Sequence, residues 1–284
     1  MQNLRDKYHQ DIFDKLLRIR KNSRKGDYPN NADGDSKISV SLAWEIIRQT
    51  GISPSFGDIS GQSKGYIFEE INRDFLKKAF SRLQHLRPGN WIYSIQSKIS
   101  DFDQYKHLAD IEKIIIQNSQ LASSLGKNYI ISPDIVLARI PLSDSEINKN
   151  KRLIHKKDPV ARLTPLRESN FANPAPILHA SISCKWTLRS DRSQNSRTEA
   201  LNLIRNRKGN LPHIVVITAE PTPTRIASLA LGTGDIDCVY HFALNELREA
   251  IKMLNDESQM EILDMLVEGR RLRDISDLPF DLAI

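Results

Sequence analysis

A lysine and two carboxylates occupy consecutive elements of the predicted core. Asp134 follows Ser132-Pro133 at the start of a β-branched segment, Lys185 ends a strand pattern, and Glu199 lies in the helix pattern that comes next. Two carboxylates can hold a hard divalent cation through oxygen, and such a cation polarises a phosphate and acidifies a water. A neighbouring lysine can orient that water and offset the developing charge. These residue types favour metal-assisted hydrolysis of a phosphodiester.

Each of the three residues also has a structural interpretation. Lys185 could be a solvated lysine on an edge strand, and Asp134 could belong to a routine Pro-Asp turn. Glu199, taken as a first-turn residue, could simply complement the helix dipole. The usual nuclease pattern also places an acid two positions before the lysine, where this chain has Ser183. The residues alone leave both interpretations open.

The strand that carries Lys185 has two chemically different faces. Side chains alternate along a strand with a period of two. One predicted face is apolar and consists of Ala180, Ile182, Cys184 and Trp186. The other face consists of His179, Ser181, Ser183 and Lys185. A lysine beside small hydroxyls on a central strand requires an acidic partner.

The segment Arg189-Ser190-Asp191-Arg192 directly follows this strand. Arginine donates a bidentate pair to the O6 and N7 edge of guanine, and aspartate accepts from the amino group of cytosine. A solvated ion-pair cluster is the alternative interpretation. The flanking residues favour DNA, because the stretch 185–208 holds seven Lys or Arg and only two acids. Basic residues in such numbers can contact phosphates.

Composition is typical of a soluble globular protein, and the charge balance favours an acidic partner such as nucleic acid. The 284 residues include 41 Lys and Arg against 35 Asp and Glu, a surplus of six positive charges. No apolar run reaches the length of a membrane span, and the N-terminus is charged from its fifth residue, so we expect a cytoplasmic protein without a signal peptide. Cys184 and Cys238 lack the pairing that a disulfide framework or a structural zinc site requires.

Hydrophobic periodicity predicts helices and strands that alternate through the second half of the chain. Helices are predicted at 4–19 with an end by Gly26, and at 41–48, 66–86, 108–125 (stopped by Gly126), 198–205, 226–231, 243–253 and 260–267. Strands are predicted at 129–140, 178–187, 213–220 and 238–242, with a turn-rich loop at 26–39. We expect one domain over 1–284 with a central mixed β-sheet flanked by helices, and 141–178 as a long excursion from its core.

These residues resemble the CCGG-reading branch of the type IIF restriction endonucleases, which are PD-(D/E)XK nucleases. In that branch the acid before the lysine is replaced by one from the next helix, so Ser183 fits the family pattern. The chain is similar to one member over ordered segments along nearly its whole length: NADG at 31–34, GQ at 61–62, FE at 68–69, LRPGNW at 86–91 and the stretches 179–192, 211–226 and 231–244.

The resemblance implies a role for each matching residue. Asp134 and Glu199 would bind Mg²⁺, two ions per active site, with the backbone carbonyl of Cys184, and Lys185 would serve the attacking water. Glu69, in preference to Glu70, would be an outer acid of the catalytic group. The implied DNA-reading residues are Arg189, Asp191 and Arg192 for the CCGG core, Asp33 and Arg225 for the outer G·C pair, and Gln62 in the minor groove.

The resemblance also implies an activity and an assembly. The expected enzyme is a type II restriction endonuclease that cuts GCCGGC after the first G and leaves four-base 5′ overhangs with 5′-phosphates. A palindromic site implies a homodimer on each site, and the family implies a homotetramer that binds two sites. Two alternatives remain at this point: a structure- or damage-directed nuclease of the same fold, and a DNA-binding regulator without nuclease activity.

Overall fold

The computed structural model describes residues 1–24, 26–117, 131–188, 190–232 and 234–284. Its helices are α1 Gln2–Lys15, α2 Lys37–Thr50, α3 Gly61–Arg82, α4 His107–Gln117, α5 Asp144–Ile147, α6 Ser190–Asn206, α7 Pro223–Ala230, α8 Leu244–Leu254, α9 Glu257–Glu268 and α10 Leu278–Asp281. Its strands are β1 Arg18–Arg20, β2 Tyr28–Pro29, β3 Ser55–Phe56, β4 Trp91–Ile95, β5 Ile135–Arg139, β6 Ile177–Lys185, β7 His213–Thr218, β8 Cys238–His241 and β9 Leu272–Asp274.

The chain folds into two compact units. The first unit comprises Met1–Arg87, Ile182–Ala200 and Ile214–Ile284. The second unit comprises Pro88–Ser181 and Leu201–His213. The boundary falls inside β6, so this one strand contributes residues to both units. The expectation of a single domain stays a prediction.

Both units contain β-structure, and the chain includes both parallel and antiparallel strand pairs. In the first unit β7 pairs in parallel with β8, and β8 pairs in parallel with β9, while the end of β6 neighbours β7. A small separate sheet in the same unit has the order β2-β1-β3. In the second unit β4 pairs antiparallel with β5, and β5 neighbours the start of β6. The predicted α/β fold with a mixed sheet and flanking helices is confirmed.

Polar caps and apolar stripes explain the two long helices of the first unit. Ser36 caps α2 by accepting a hydrogen bond from the backbone of Ser39, and Ser60 caps α3 in the same way. Helix α2 ends at Gly51, whose φ of 68° is a left-handed conformation that glycine adopts without strain. The apolar stripe predicted for α3 is buried at Phe68, Ile71, Phe75, Phe80 and Leu83.

The first helix is shorter than its apolar spacing predicts. Helix α1 ends at Lys15, and the chain enters β1 three residues later. Leu16 and Ile19 are buried all the same, at 0% and 1% exposure. Leu16, in the loop after α1, and Ile19, in β1, are therefore core residues although neither belongs to the helix.

Several short strands were not predicted, and some predicted ends lie outside the described residues. Strand β4 follows the Pro88-Gly89-Asn90 turn and has the aromatic and β-branched residues typical of strands, yet no prediction covered it. Strands β1, β2, β3 and β9 are only two or three residues long. The predicted end of α4 near Gly126 and the predicted strand start at 129–130 fall on residues that the structure does not describe.

Within the described ranges, none of the helices combines the length and the apolar character that a membrane crossing requires.

Candidate active site

Lys185 is the last residue of β6, and its backbone is held from the neighbouring strand. The carbonyl oxygen of Lys185 accepts a hydrogen bond from Thr218 Oγ1 at 2.8 Å and from the backbone N–H of Ala219 at 3.4 Å. The predicted apolar face of β6 is confirmed, because its four side chains are at most 5% exposed: Ala180, Ile182, Cys184 and Trp186. Ser183 and Lys185 lie on the opposite, half-buried face.

A serine pair joins the strand of Lys185 to the helix of Glu199. Ser183 Oγ lies 3.3 Å from Ser196 Oγ, and Ser196 is only 3% exposed. Ser183 and Lys185 share a strand face because they are two residues apart, and Ser196 and Glu199 share a helix face because they are three apart. The hydrogen bond therefore turns the half-exposed Glu199 side of α6 toward the Lys185 face of β6.

The dipole interpretation of Glu199 is wrong. Helix α6 begins at Ser190 and not near Thr198, so Glu199 lies in its third turn. The charge of a helix N-terminus acts within the first turn, which makes it a poor reason for an acid at this position.

Glu69 lies on α3, which packs against the residues that follow β6. The Phe68 ring lies edge-on to Trp186 with 5.2 Å between ring centroids. Glu69 is 7% exposed, and a Cβ added at Gly65 would lie 3.9 Å from Glu69 Oε1. Glu70, the neighbour that the resemblance disfavours, is half-buried.

Asp134 is described within the second unit, whereas the other three candidate catalytic residues belong to the first. It is half-buried and directly precedes β5, whose first residue Ile135 pairs with Ile95 of β4. The backbone carbonyl of Asp134 accepts a hydrogen bond from the N–H of Gln96 at 3.2 Å. The catalytic grouping of Asp134 with Lys185, Glu199 and Glu69 stays a prediction.

Asp33 and Arg225, separated by 192 residues in sequence, form an ion pair. Both side chains are about one-third exposed, so they are accessible to a ligand. Burial alone would lower the pKa of Arg225, but the hydrogen bond to Asp33 and the charges of Glu220 and Asp33 raise it. The two residues predicted to contact the outer G·C pair, a cation and a hydrogen-bond acceptor, are thus side by side.

The loop of Asp33 is shaped by local contacts. The N–H of Asp33 donates to Ser39 Oγ at 3.0 Å, which ties the loop to the first turn of α2. A Cβ on Gly34 would lie 2.7 Å from the Tyr28 ring, so the chain passes this ring only as glycine.

The other predicted DNA-reading residues are on helices or outside the described part. Gln62 is exposed in the first turn of α3. The backbone of Asp191 and Arg192 forms the start of α6, and not a segment between strand and helix as the sequence predicted. Arg189 lies outside the described residues.

Sequence reasoning missed the residues that connect these groups. The carboxylate of Glu220 accepts the N–H of Leu188 at 3.0 Å and that of Thr222 at 3.3 Å. Asn31 Nδ2 donates to the carbonyl of Ala219 at 3.0 Å. Asn31 and Glu220 were visible as parts of the matching NADG and ITAEP segments. No local signal predicted that Asn31 bonds to Ala219 or that Glu220 bonds to Leu188, because these two contacts join distant parts of the chain.

The predicted metal ligands form an all-oxygen set. Cys184 is a buried cysteine whose side chain belongs to the apolar face of β6, which is compatible with the predicted role of its backbone carbonyl as the ligand. Carboxylate and carbonyl oxygens suit Mg²⁺, which commonly takes one or two carboxylates and completes its shell with waters and substrate phosphates. In the described part of the chain, no three or more His, Cys, Asp or Glu residues group closely enough to hold an ion by themselves.

Comparison with known proteins identifies the class as restriction enzymes. The family model described as NgoMIV restriction enzyme matches residues 8–284. The type II restriction enzyme NgoMIV of Neisseria gonorrhoeae is 48% identical over 260 residues, which cover 90% of each protein. The chain therefore belongs to the NgoMIV restriction enzyme family and is a site-specific deoxyribonuclease that acts on double-stranded DNA.

A solved complex of the restriction endonuclease PspGI with substrate DNA aligns at 14% identity and a TM-score of 0.30, covering 99% of this chain and 90% of that one. This likeness is too weak to carry an argument.

Proposed function

We propose that this restriction endonuclease hydrolyses both strands of GCCGGC in a Mg²⁺-dependent reaction. It cuts after the first G and leaves 5′-phosphate ends with four-base 5′ overhangs. The observation that carries the proposal is the Ser183–Ser196 hydrogen bond, because it turns the face of α6 that bears Glu199 toward the face of β6 that bears Lys185. This arrangement supplies the carboxylate that is missing two positions before the lysine.

The proposed catalytic roles come from the family resemblance and fit the chemistry of the side chains. Asp134 and Glu199, with the carbonyl of Cys184, would hold two Mg²⁺ ions, and Glu69 would support them as an outer acid. When bound, Mg²⁺ polarises the scissile phosphate and lowers the pKa of a water. The Lys185 ammonium orients the attacking water by hydrogen bonding and offsets the charge that develops on the phosphate.

The proposed reading roles come from the family resemblance, and each fits base-edge chemistry. Arg189, Asp191 and Arg192 read the CCGG core in the major groove. Asp33 accepts from the amino group of the outer cytosine while Arg225 donates to its guanine partner, and their ion pair supports this assignment because the two edges of one G·C pair are adjacent. Gln62 contacts the minor groove, whose simpler pattern suits a neutral amide.

The assembly is a homodimer on each palindromic site and a homotetramer that engages two sites. A two-fold protein matches a two-fold site because each protomer then meets the same half-site. The excursion 141–178 supports further assembly, since it exposes large apolar side chains on its surface: Leu153, Val160 and Leu163. We place the enzyme in the cytoplasm, where it meets duplex DNA.

Cleavage mapping tests this function. A fully sequenced plasmid is digested with the purified protein and Mg²⁺, and both strands are sequenced at the new ends. We expect discrete fragments whose ends fall after the first G of GCCGGC, and no cutting when the metal is chelated. Ends at another hexamer would contradict the proposed site, and cutting without sequence preference would contradict the whole proposal.

A further inference from the structure

The segment 218–222, from the last residue of β7 to the residue before α7, contacts the catalytic strand and residues that neighbour the predicted inner and outer reading residues in the first unit. Thr218 Oγ1 and the N–H of Ala219 donate to the carbonyl of Lys185. The carbonyl of Ala219 accepts from Asn31, two residues before Asp33. The carboxylate of Glu220 reaches a third part of the chain at Leu188.

Glu220 is buried at 1% exposure, and each of its carboxylate oxygens accepts a different backbone N–H. Oε2 accepts from Leu188, which directly precedes the 189–192 segment, and Oε1 accepts from Thr222, the cap residue of the helix that carries Arg225. A carboxylate can accept both bonds at once because it has two acceptor oxygens and no proton.

The backbone of Glu220 is fixed as well. Its N–H donates to Thr218 Oγ1 at 3.2 Å, and its carbonyl accepts from Nε2 of the buried His241 at 3.1 Å. Nε2 must carry the proton, since Nδ1 of the same ring accepts from the N–H of Ala243. Burial lowers the pKa of His241 to about 4, so this ring stays neutral while it holds the loop.

We propose that Glu220 is a positioning residue that sets the inner reading segment 189–192 and the outer reader Arg225 in one register on DNA. The inference rests on the proposed function for the identity of the reading residues. Glu220 touches no base in this scheme. It acts through the backbone at Leu188 and Thr222, so a change at Glu220 should loosen inner and outer recognition together.

Two discrimination ratios test the proposal. The inner ratio is the Kd on a duplex with an inner base pair replaced divided by the Kd on the cognate site, and the outer ratio is the same quotient for a replaced outer base pair. Binding is measured in Ca²⁺ at fixed salt on three duplexes: the mapped cognate site, one with an inner base pair replaced and one with the outer base pair replaced. In Glu220→Gln one oxygen becomes an NH₂ that cannot accept, and the other becomes a neutral amide oxygen, which accepts more weakly than a carboxylate oxygen, so the hydrogen bonds of both N–H groups are lost or weakened. We expect both ratios to fall about tenfold, the size of one charge-assisted hydrogen bond.

Reference variants separate this effect from loss of a reader or of stability. Asp191→Ala should lower only the inner ratio, and Arg225→Ala only the outer ratio. Glu45→Gln is the matched control, because Glu45 is also buried. In the described part of the chain, its carboxylate accepts side-chain hydrogen bonds from Arg48 and Gln49 of its own helix. This control should leave both ratios within about twofold of the wild-type values. The melting temperatures of Glu45→Gln and Glu220→Gln are measured alongside, so that a loss of stability can be told from a loss of discrimination.

The outcomes are distinct. If folded Glu220→Gln melts at a lower temperature with both ratios unchanged, or loses only one ratio, the proposal is wrong. Should Glu220→Gln fail to fold, Glu220→Asp keeps the charge but draws the oxygens back by one methylene, and the same paired loss is expected at smaller size. If the wild type maps to another hexamer, the proposed site fails, but the ratios measured on that hexamer still test Glu220.

Discussion

At the scale of single residues, Lys185 ends a strand whose two faces differ in burial. The alternation of side chains along this strand predicted the apolar face, and its burial is confirmed. The position of Glu199 relative to that strand required tertiary information, since it depends on the contact between Ser183 and Ser196. Glu220 was invisible for the same reason, because its two partners are backbone groups that any sequence possesses.

Replacing Lys185 should separate cleavage from binding. Lys185→Ala removes the ammonium that orients the attacking water and offsets charge, and we expect cleavage of the mapped site to fall by about 10²–10³-fold or more. Specific binding in Ca²⁺ should persist, because the predicted reading residues are unchanged. Single-turnover cleavage and equilibrium binding on one duplex measure the two effects.

Lys252→Ala is the control for this prediction. Lys252 is an exposed lysine near the end of α8. In the part of the chain that the structure describes, its ion-pair partner is Glu249. Lys252→Ala should cut at the wild-type rate. If Lys185→Ala also cut normally, the catalytic assignment would be wrong.

At the scale of elements, a buried ion-pair cluster ties the N-terminal helix to the rest of the first unit. Arg5 of α1 contacts Glu246 of α8 at 2.6 Å and Asp274 of β9 at 2.8 Å, and the three side chains are at most 14% exposed. The periodicity of α1 predicted a buried stripe, but charge at Arg5 predicts an exposed position. Helix α1 packs on the first unit through apolar side chains and through Arg5, so its apolar periodicity predicted only part of its contacts.

Removing Arg5 should destabilise the protein strongly at neutral pH. Arg5→Ala leaves two buried carboxylates without their cation, which costs about 3–5 kcal/mol in the free energy of unfolding. Urea denaturation at pH 7 measures this loss. Arg73→Ala is the control, because Arg73 pairs with Asp74 at the surface and should cost less than about 1 kcal/mol.

The contribution of this cluster should depend on pH. Burial alone would raise the pKa of Glu246 and of Asp274, but the hydrogen bonds and charge of Arg5 lower both. A lowered folded pKa means that the stabilisation is complete above the unfolded values of about 4 and is lost as the pH falls below them. In Arg5→Ala burial acts without the cation and raises the pKa of both carboxyls, so the stability gap between wild type and variant should be largest near neutral pH and should narrow as the pH falls toward and below about 4.

At the scale of the whole molecule, the location of the charge is more informative than its total. A surplus of six positive charges is modest for a DNA-binding protein. The stretch 185–208 alone holds seven basic and two acidic residues, and it spans the end of β6 and all of α6. In the proposed function, cations for phosphates and bases adjoin carboxylates that would hold magnesium, and this combination keeps the net charge small.

The shared strand β6 leads us to predict that the two compact units unfold together. Residues 177–181 of β6 belong to the second unit and residues 182–185 to the first, so neither unit can lose this strand without affecting the other. The three tryptophans allow a test, since Trp44 and Trp186 lie in the first unit and Trp91 in the second. A Trp91→Phe variant reports on the first unit, and a Trp44→Phe/Trp186→Phe variant reports on the second.

In each variant, urea unfolding is followed by tryptophan fluorescence and by far-ultraviolet circular dichroism. Circular dichroism reports on the whole chain and serves as the internal control for any destabilisation by the substitutions. Coincident midpoints within each variant indicate one cooperative transition and support a single domain over 1–284. A fluorescence midpoint that departs from the dichroism midpoint would show that one unit unfolds while the other persists, and the single-domain prediction would then be wrong.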